Sequence, residues 1–339
     1  MQGVRATYHE AVLAARRWLR RHLPDLPKLE FRVSEARSAA TTPRRTTRRR
    51  RDIRERMERA VLDHWELLDD EDIAIFTIRR PDGSDFATFE AGQYTMLAFW
   101  DQPADDPRPR QLSIGSTPLD LDHLEFYVIL VRDSREDGSN VPGVFTGTLW
   151  RHKPGDEILY MPRPAGRFTL SRTSQPDAVC VATGTGLAPF VSMARTAWHE
   201  YQETGQVERR LTIVHGVSYA DQLGYKDELE RMAADPGFGL VYIPTISRPD
   251  SDPNFGEGMG RGRANDTVRL ICGKEMSGRV EPWLPDEPLA ALQERLTPEG
   301  AALYLCGNPE MIADAKPVLA EQGFETEGRE SQVITEDYW

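Results

Sequence analysis

The chain of 339 residues carries 42 Lys and Arg against 54 Asp and Glu, a net charge of −12, and 39% of it is hydrophobic. That length can bury two cores and that composition fits a globular protein, while no apolar run approaches the ~18 residues that cross a bilayer, so no membrane partner is expected. Three scattered cysteines, Cys180, Cys272 and Cys306, argue against a disulfide framework or a zinc site and point to a reducing, cytoplasmic compartment; the seven histidines show no ligand spacing, so no metal is expected.

Charge is unevenly spread. Residues 1–56 hold 16 basic and 6 acidic side chains, whereas the remainder holds 26 and 48. The basic stretch, which includes Arg44-Arg45-Thr46-Thr47-Arg48-Arg49-Arg50-Arg51, reads as a solvated, disordered extension with a short Arg-rich helix at 8–22. The alternatives are a nucleic-acid contact, a transit-like leader, or a chain that truly starts at Met57. From about 60 to 172 short strands alternate with turns: Ile73–Arg79, Gly92–Trp100, Leu124–Arg132, Asp156–Met161 and Gly166–Leu170, with Pro-Asp-Gly and Lys-Pro-Gly between them. This spacing predicts a small antiparallel barrel over 57–172. Beyond Thr173–Pro176 strands at 178–182, 210–217, 240–246 and 302–306 alternate with helices at 188–203, 225–234, 287–296 and 309–322. That is the pattern of a doubly wound parallel sheet over 173–339, and residues 249–282 read as an irregular insertion at its strand ends.

Chemistry concentrates in a few short motifs. Val179 to Thr183 reads as a buried strand running into Gly184-Thr185-Gly186, with Pro189 where a helix would begin. A strand, a glycine turn and a helix N-terminus offer free N–H groups to an anion. No third glycine follows, so this is not the usual dinucleotide fingerprint. Arg110-Gln111-Leu112-Ser113 lies on a barrel strand; its ends point to opposite faces, so a ligand held by both must wrap the strand, with a guanidinium for phosphate and a hydroxyl for a ring nitrogen. Gly143-Val144-Phe145-Thr146 opens a short helix after a turn. Ser247-Arg248 closes the third parallel strand, where a hydroxyl and a cation would suit the 2′-phosphate that separates NADP from NAD, and Arg279 can reach the same group. Cys306-Gly307 ends the strand at 302–306, where a small polarisable side chain lets a flat ring approach. Tyr338-Trp339 ends the chain with two aromatic faces suited to stacking. Each motif alone also fits an ordinary turn, cap, surface arginine or buried cysteine.

Together, in this order, R-x-x-S, G-x-x-T, G-T-G-x-A-P, S-R and C-G-N-P-x-M resemble the ferredoxin–NADP(+) reductase family, bacterial type, over about residues 60–339. The resemblance implies an FAD-binding antiparallel β-barrel followed by an NADP-binding α/β domain. Arg110 would hold the FAD phosphates, Ser113 would bond near flavin N5, and Gly143 to Thr146 would cap the pyrophosphate. Gly184 to Gly186, after Thr183, would meet the NADP pyrophosphate, and Ser247 with Arg248 the 2′-phosphate. Cys306 would border the nicotinamide, with Gly307 beside it among the cofactor-binding residues, Tyr338 would lie on the flavin, and Trp339 near the adenine. Ser113, Cys306 and Tyr338 would orient the reacting rings, since hydride transfer needs no side-chain base. The activity implied is hydride exchange between NADPH and FAD, with single electrons passed to or from ferredoxin or flavodoxin by a monomer. Two residues depart from the family: Leu112 stands where a Tyr often stacks on the flavin, and Ser218 where an Arg often lies. The related alternative is a reductase component of an oxygenase, disfavoured because a four-cysteine iron–sulfur set is missing from these residues. The unrelated one is a nucleic-acid-binding protein acting through its Arg-rich tail.

Overall fold

The computed structural model describes residues 53, 55–68, 72–102, 109–134, 139–276, 278 and 280–337. The basic extension and its helix at 8–22 lie outside the described residues, as do Arg279, Tyr338 and Trp339.

The first sheet is antiparallel. Its strands are β1 (Glu58–Leu67), β2 (Ile73–Arg79), β3 (Tyr94–Ala98), β4 (Arg110–Ser113), β5 (His123–Ile129) and β8 (Glu157–Tyr160), in the order β4-β3-β8-β1-β2-β5. Its edges meet where the Gly115 N–H donates to the Glu125 carbonyl at 2.8 Å, which bends the sheet into a barrel. Alternating residues fill the inside: Leu62, Phe76, Ile78, Leu97, Leu124 and Phe126 are all buried. The Phe76 and Phe126 rings stack with centroids 5.1 Å apart, and such side chains each contribute about 1.5–3 kcal/mol on burial. A small hairpin, β6 (Arg132–Ser134) with β7 (Asn140–Pro142), leads into helix α1 (Val144–Leu149).

The second sheet is parallel: β9 (Asp177–Thr183), β10 (Arg210–Val217), β11 (Val241–Ile246), β12 (Gly260–Arg261), β13 (Ala301–Gly307) and β14 (Val333–Asp337), in the order β12-β11-β10-β9-β13-β14. Its helices are α2 (Ala188–Thr204), α3 (Lys226–Ala233), α4 (Ala264–Ile271), α5 (Asp286–Arg295) and α6 (Pro309–Glu321). Strand β9 shows the two-sided burial that a parallel sheet demands. Ala178, Cys180 and Ala182 pack with Phe190 and Met193 of α2, while Val179 and Val181 pack with Val268 and Leu319 of α4 and α6. The strand order reverses between β9 and β13, and the carboxyl ends flanking such a reversal form a crevice.

Two expectations are corrected. Gly166–Leu170 forms no strand: Gly166 sits at φ +115°, Ala165 makes a lone bridge to Tyr94, and Leu170–Arg172 is a 3-10 turn. Phe168 is buried not by sheet pairing but by wedging between the Phe190 and Tyr304 rings, each 5.5 Å away. Residues 249–282 are not irregular throughout, for they hold β12 and α4. Ala264 and Val268, one helical turn apart, both bury into the core, a spacing obscured in the sequence by the polar residues between them.

Candidate functional site: a cleft across the two sheets

One cleft of about 1890 Å³ runs from the barrel to the carboxyl ends of the parallel strands. That is roughly twice the upper volume of a pocket for one drug-sized ligand, so two nucleotides can lie in it end to end.

On the barrel side, all four residues Arg110, Gln111, Leu112 and Ser113 line the cleft. They do so because β4 is an edge strand, leaving its rim as well as its faces open. Ser113 is 6% exposed. Gln111 Nε2 donates to the Tyr94 hydroxyl at 3.0 Å, which braces the strand's outer face. Gly143, Val144, Phe145 and Thr146 line the next stretch. Gly143 N–H donates to the Val131 carbonyl at 2.7 Å and the Val131 N–H to Thr146 Oγ1 at 3.2 Å, so the entry of α1 is tied to the link between β5 and β6. The opening N–H groups of a helix have no partner within it, which suits this entry to an anion.

On the α/β side, Thr183, Gly184, Thr185 and Gly186 line the cleft together with Gly307 and Asn308. Gly184 takes φ +52°, and a Cβ there would meet open space. Gly186 is constrained differently: a Cβ would lie 2.5 Å from the Cys306 carbonyl oxygen. Only a glycine lets the turn after β9 press against the end of β13. Thr183 Oγ1 accepts the Asn308 N–H at 2.7 Å, and the Asn308 side chain accepts the Glu310 N–H at 2.7 Å, capping α6. Cys306 does not sit where expected. Its side chain is fully buried with Cys180, Ala182 and Leu187, and the cleft is bordered instead by Gly307 next to it. Both faces of β13 are covered, and residue 306 falls on the face packed by Leu187 and the start of α2, so its side chain is enclosed even though the strand's end borders the cleft.

Ser247 and Arg248 line the far end, as do Ser218 and Gln222. Arg248 Nη1 donates to the Tyr219 hydroxyl at 3.2 Å, and its guanidinium lies 5.4 Å from the Tyr219 ring centroid. Arg263, at the start of α4, also lines this end and was missed in the sequence. The readable signal was a Gly-Arg-Gly-Arg run opening a helix. Of the acids at this end, Asp250 pairs with Arg261 at 2.6 Å, Asp314 with Arg269 and, at 2.7 Å, with Asn265, while the buried Asp266 accepts the Gly278 N–H at 3.1 Å. Among the described residues, neither Arg248 nor Arg263 takes part in an ion pair, so two guanidiniums remain for an anionic ligand.

Behind the glycine turn stands His215, also missed. It is fully buried on β10, with Nε2 donating to the Gly184 carbonyl at 3.1 Å and Nδ1 3.2 Å from the Tyr242 hydroxyl. Burial pushes its pKa down to about 4 against the ordinary 6.5, only partly offset by the Gly184 carbonyl. The folded state therefore holds His215 neutral where the unfolded chain would protonate it. Its contribution to stability is complete above pH 6.5 and is lost as pH falls toward 4. Such a shift corresponds to about 3 kcal/mol. Urea titrations of the wild type and His215→Gln between pH 7 and pH 4 should diverge by that amount; parallel curves would show that His215 titrates normally.

A six-stranded antiparallel barrel followed by a doubly wound parallel sheet, with a cleft at the switch point, is the fold of two-lobed nucleotide-dependent oxidoreductases. Residues 180–317 match the family model of the oxidoreductase NAD-binding domain. A ferredoxin–NADP reductase of Azotobacter vinelandii is 28% identical over 239 residues, covering 68% of this chain and 78% of that protein. A flavohemoprotein of Bacillus subtilis is 22% identical over 255 residues, covering 74% of this chain and 53% of that protein. The solved ferredoxin NADP+ reductase of Neisseria gonorrhoeae with bound FAD and NADP superposes with a TM-score of 0.64 at 22% identity, over 84% of this chain and 99% of that one. The chain is thus similar to ferredoxin–NADP(+) reductases, and its residues 180–317 carry the oxidoreductase NAD-binding domain. Among the described residues no helix is long and apolar enough to cross a membrane.

Proposed function

We propose that this protein is an FAD-dependent NADPH oxidoreductase that exchanges electrons with ferredoxin or flavodoxin. In this reading residues 57–172 hold FAD and residues 173–339 hold NADP(H). The observation that carries it is the single cleft, which joins the edge strand β4 and the entry of α1 to the carboxyl ends of β9, β13 and β11. The residues fit the two cofactors. Arg110 and the entry of α1 offer a cation and backbone donors for a pyrophosphate; Ser113 offers a hydroxyl beside a ring; Gly184 leaves space where any other residue would place a Cβ. When bound, FAD would supply the hydride and single-electron chemistry. The protein's own residues bind, orient and exclude water.

Arg248 and Arg263 favour a 2′-phosphate over a bare ribose, even with Ser218 in place of a further arginine. A hydrogen bond to a charged group contributes about 1.5–3 kcal/mol, so Arg248→Ala should weaken NADPH binding roughly ten- to a hundredfold and leave NADH nearly unchanged. Anaerobic stopped-flow flavin bleaching with each nucleotide measures this directly. Equal bleaching rates with NADPH and NADH in the wild type would remove the phosphate role of this end, and a purified protein without flavin would end the whole reading. The similarity to flavohemoprotein favours one second reading, a reductase serving a haem or oxygenase partner. Comparing reduction of ferredoxin, flavodoxin and a haem protein by the same preparation separates the two.

A further inference from the structure

His215 is a buried titratable group with no part in the proposed chemistry, yet it touches the backbone of the glycine turn. Alternation along β10 places it on the same face as Leu211 and Ile213, directed into the core that α2 covers. In parallel register it stands beside Ala182 of β9, one residue short of the strand's end. From there its Nε2–H reaches the Gly184 carbonyl at 3.1 Å. The other ring nitrogen must then be the acceptor of the Tyr242 hydroxyl, 3.2 Å away, since a neutral imidazole has one donor and one acceptor. Tyr242 lies on the neighbouring strand β11, itself buried. The tautomer is thus set from outside the turn.

A trans peptide is planar, with its C=O and N–H pointing in opposite directions. Pinning the Gly184 carbonyl toward His215 therefore turns the following N–H, that of Thr185, away from the core. Thr185 lines the cleft, and its N–H belongs to the opening of a helical turn where such groups have no internal partner. Gly184, at φ +52° with open space around it, has no side chain to hold this orientation by packing. We propose that His215, locked in one tautomer by Tyr242, is a positioning residue that aims the Thr185 N–H into the cleft for the pyrophosphate of a nicotinamide dinucleotide. This rests on the reading of the cleft as a nicotinamide-nucleotide site and names what prepares its centre, as distinct from the arginines at its end.

Calorimetric titration of the flavin-loaded protein with NADP+ and with adenosine 2′-monophosphate tests it. The smaller probe carries the 2′-phosphate but no pyrophosphate, so it reports the Arg248 end alone. His215→Leu should weaken NADP+ about tenfold and leave the 2′-monophosphate within twofold. His215→Gln, which retains an amide donor for the Gly184 carbonyl, should recover most of the loss. Tyr242→Phe removes the tautomer lock while keeping the ring, and should weaken NADP+ severalfold with the smaller probe unaffected. It decides the matter if His215→Leu does not fold. Equal weakening of both probes, or unchanged NADP+ binding in Tyr242→Phe and His215→Gln alike with no difference in His215→Leu, overturns the positioning role. A wild type that binds the 2′-monophosphate but gains nothing from the rest of NADP+ also overturns it. A wild type that binds neither fails at the nucleotide reading itself.

Discussion

Gly307→Ala should cost about 4 kcal/mol of folding stability, combining about 1–3 for a side chain in a glycine-only conformation with about 1–3 for overpacking. Gly307 sits at φ +122°, and a Cβ there would fall against the Thr183 hydroxyl and 2.7 Å from the Thr183 carbonyl oxygen. The hydroxyl cannot yield freely, because it accepts the Asn308 N–H at 2.7 Å and so ties the end of β9 to the start of α6. The backbone must shift, and with it the two strand ends that border the cleft. Gly328→Ala is the matched control: φ is +85° and nothing lies within 4 Å of a Cβ, so only the conformational cost of about 1–2 kcal/mol remains. Chemical denaturation of both variants provides the comparison. Equal losses at the two positions would mean that the contact with Thr183 is not rigid.

Arg195→Ala is expected to cost about 4 kcal/mol, the middle of the range for breaking a desolvated ion pair from one side. Arg195, on α2, forks onto Glu228 of α3 with Nε–Oε1 at 2.7 Å and Nη2–Oε2 at 2.8 Å. Its third nitrogen donates to Glu125 Oε1 at 2.5 Å and to the Gly115 carbonyl at 3.1 Å, both in the barrel. The guanidinium also lies over the ring of Tyr225, 5.2 Å from its centroid. Tyr225 has φ +62°, the one non-glycine residue among those described with a left-handed backbone, and its hydroxyl donates to Glu125 at 3.0 Å. One turn along α2, Ser192 donates to the Ser116 carbonyl at 2.6 Å. Removing Arg195 leaves two carboxylates facing each other without a cation, and loosens the seam that aligns the halves of the cleft. Arg195→Lys should recover under half of the loss, since an ammonium cannot make the bidentate fork. Thermal unfolding of the three proteins measures it; a lysine variant as stable as wild type would show that charge alone suffices there.

Much of this architecture was legible in the sequence. The alternation of Ile73–Arg79 and the strand–helix rhythm after residue 173 are local patterns, set by side-chain period and turn residues. They predicted β2, β9, β10, β11, β13 and the helices α2, α3, α5 and α6 to within a residue or two, but not α4. The site motifs were legible for the same reason: Gly184 to Gly186, Arg110 to Ser113, and Ser247-Arg248 each carry their chemistry in consecutive residues, and all line the cleft. Short strands such as β12 and β14 were not, because their few residues are held by pairing with distant partners rather than by their own pattern.

What the sequence determined alone is therefore the class of fold, the order of its longer elements and several short motifs that line the cleft. What only the tertiary structure decided is which way those residues face and what fixes them. Cys306 is enclosed on the face of β13 that α2 covers, Arg263 reaches the cleft because β12 and α4 deliver it there, and His215 meets Gly184, 31 positions away in the chain. The reason is physical: local propensity sets backbone conformation within a few residues, whereas the direction of a side chain in a sheet and the partner of a buried polar group are settled only when separate strands come into register.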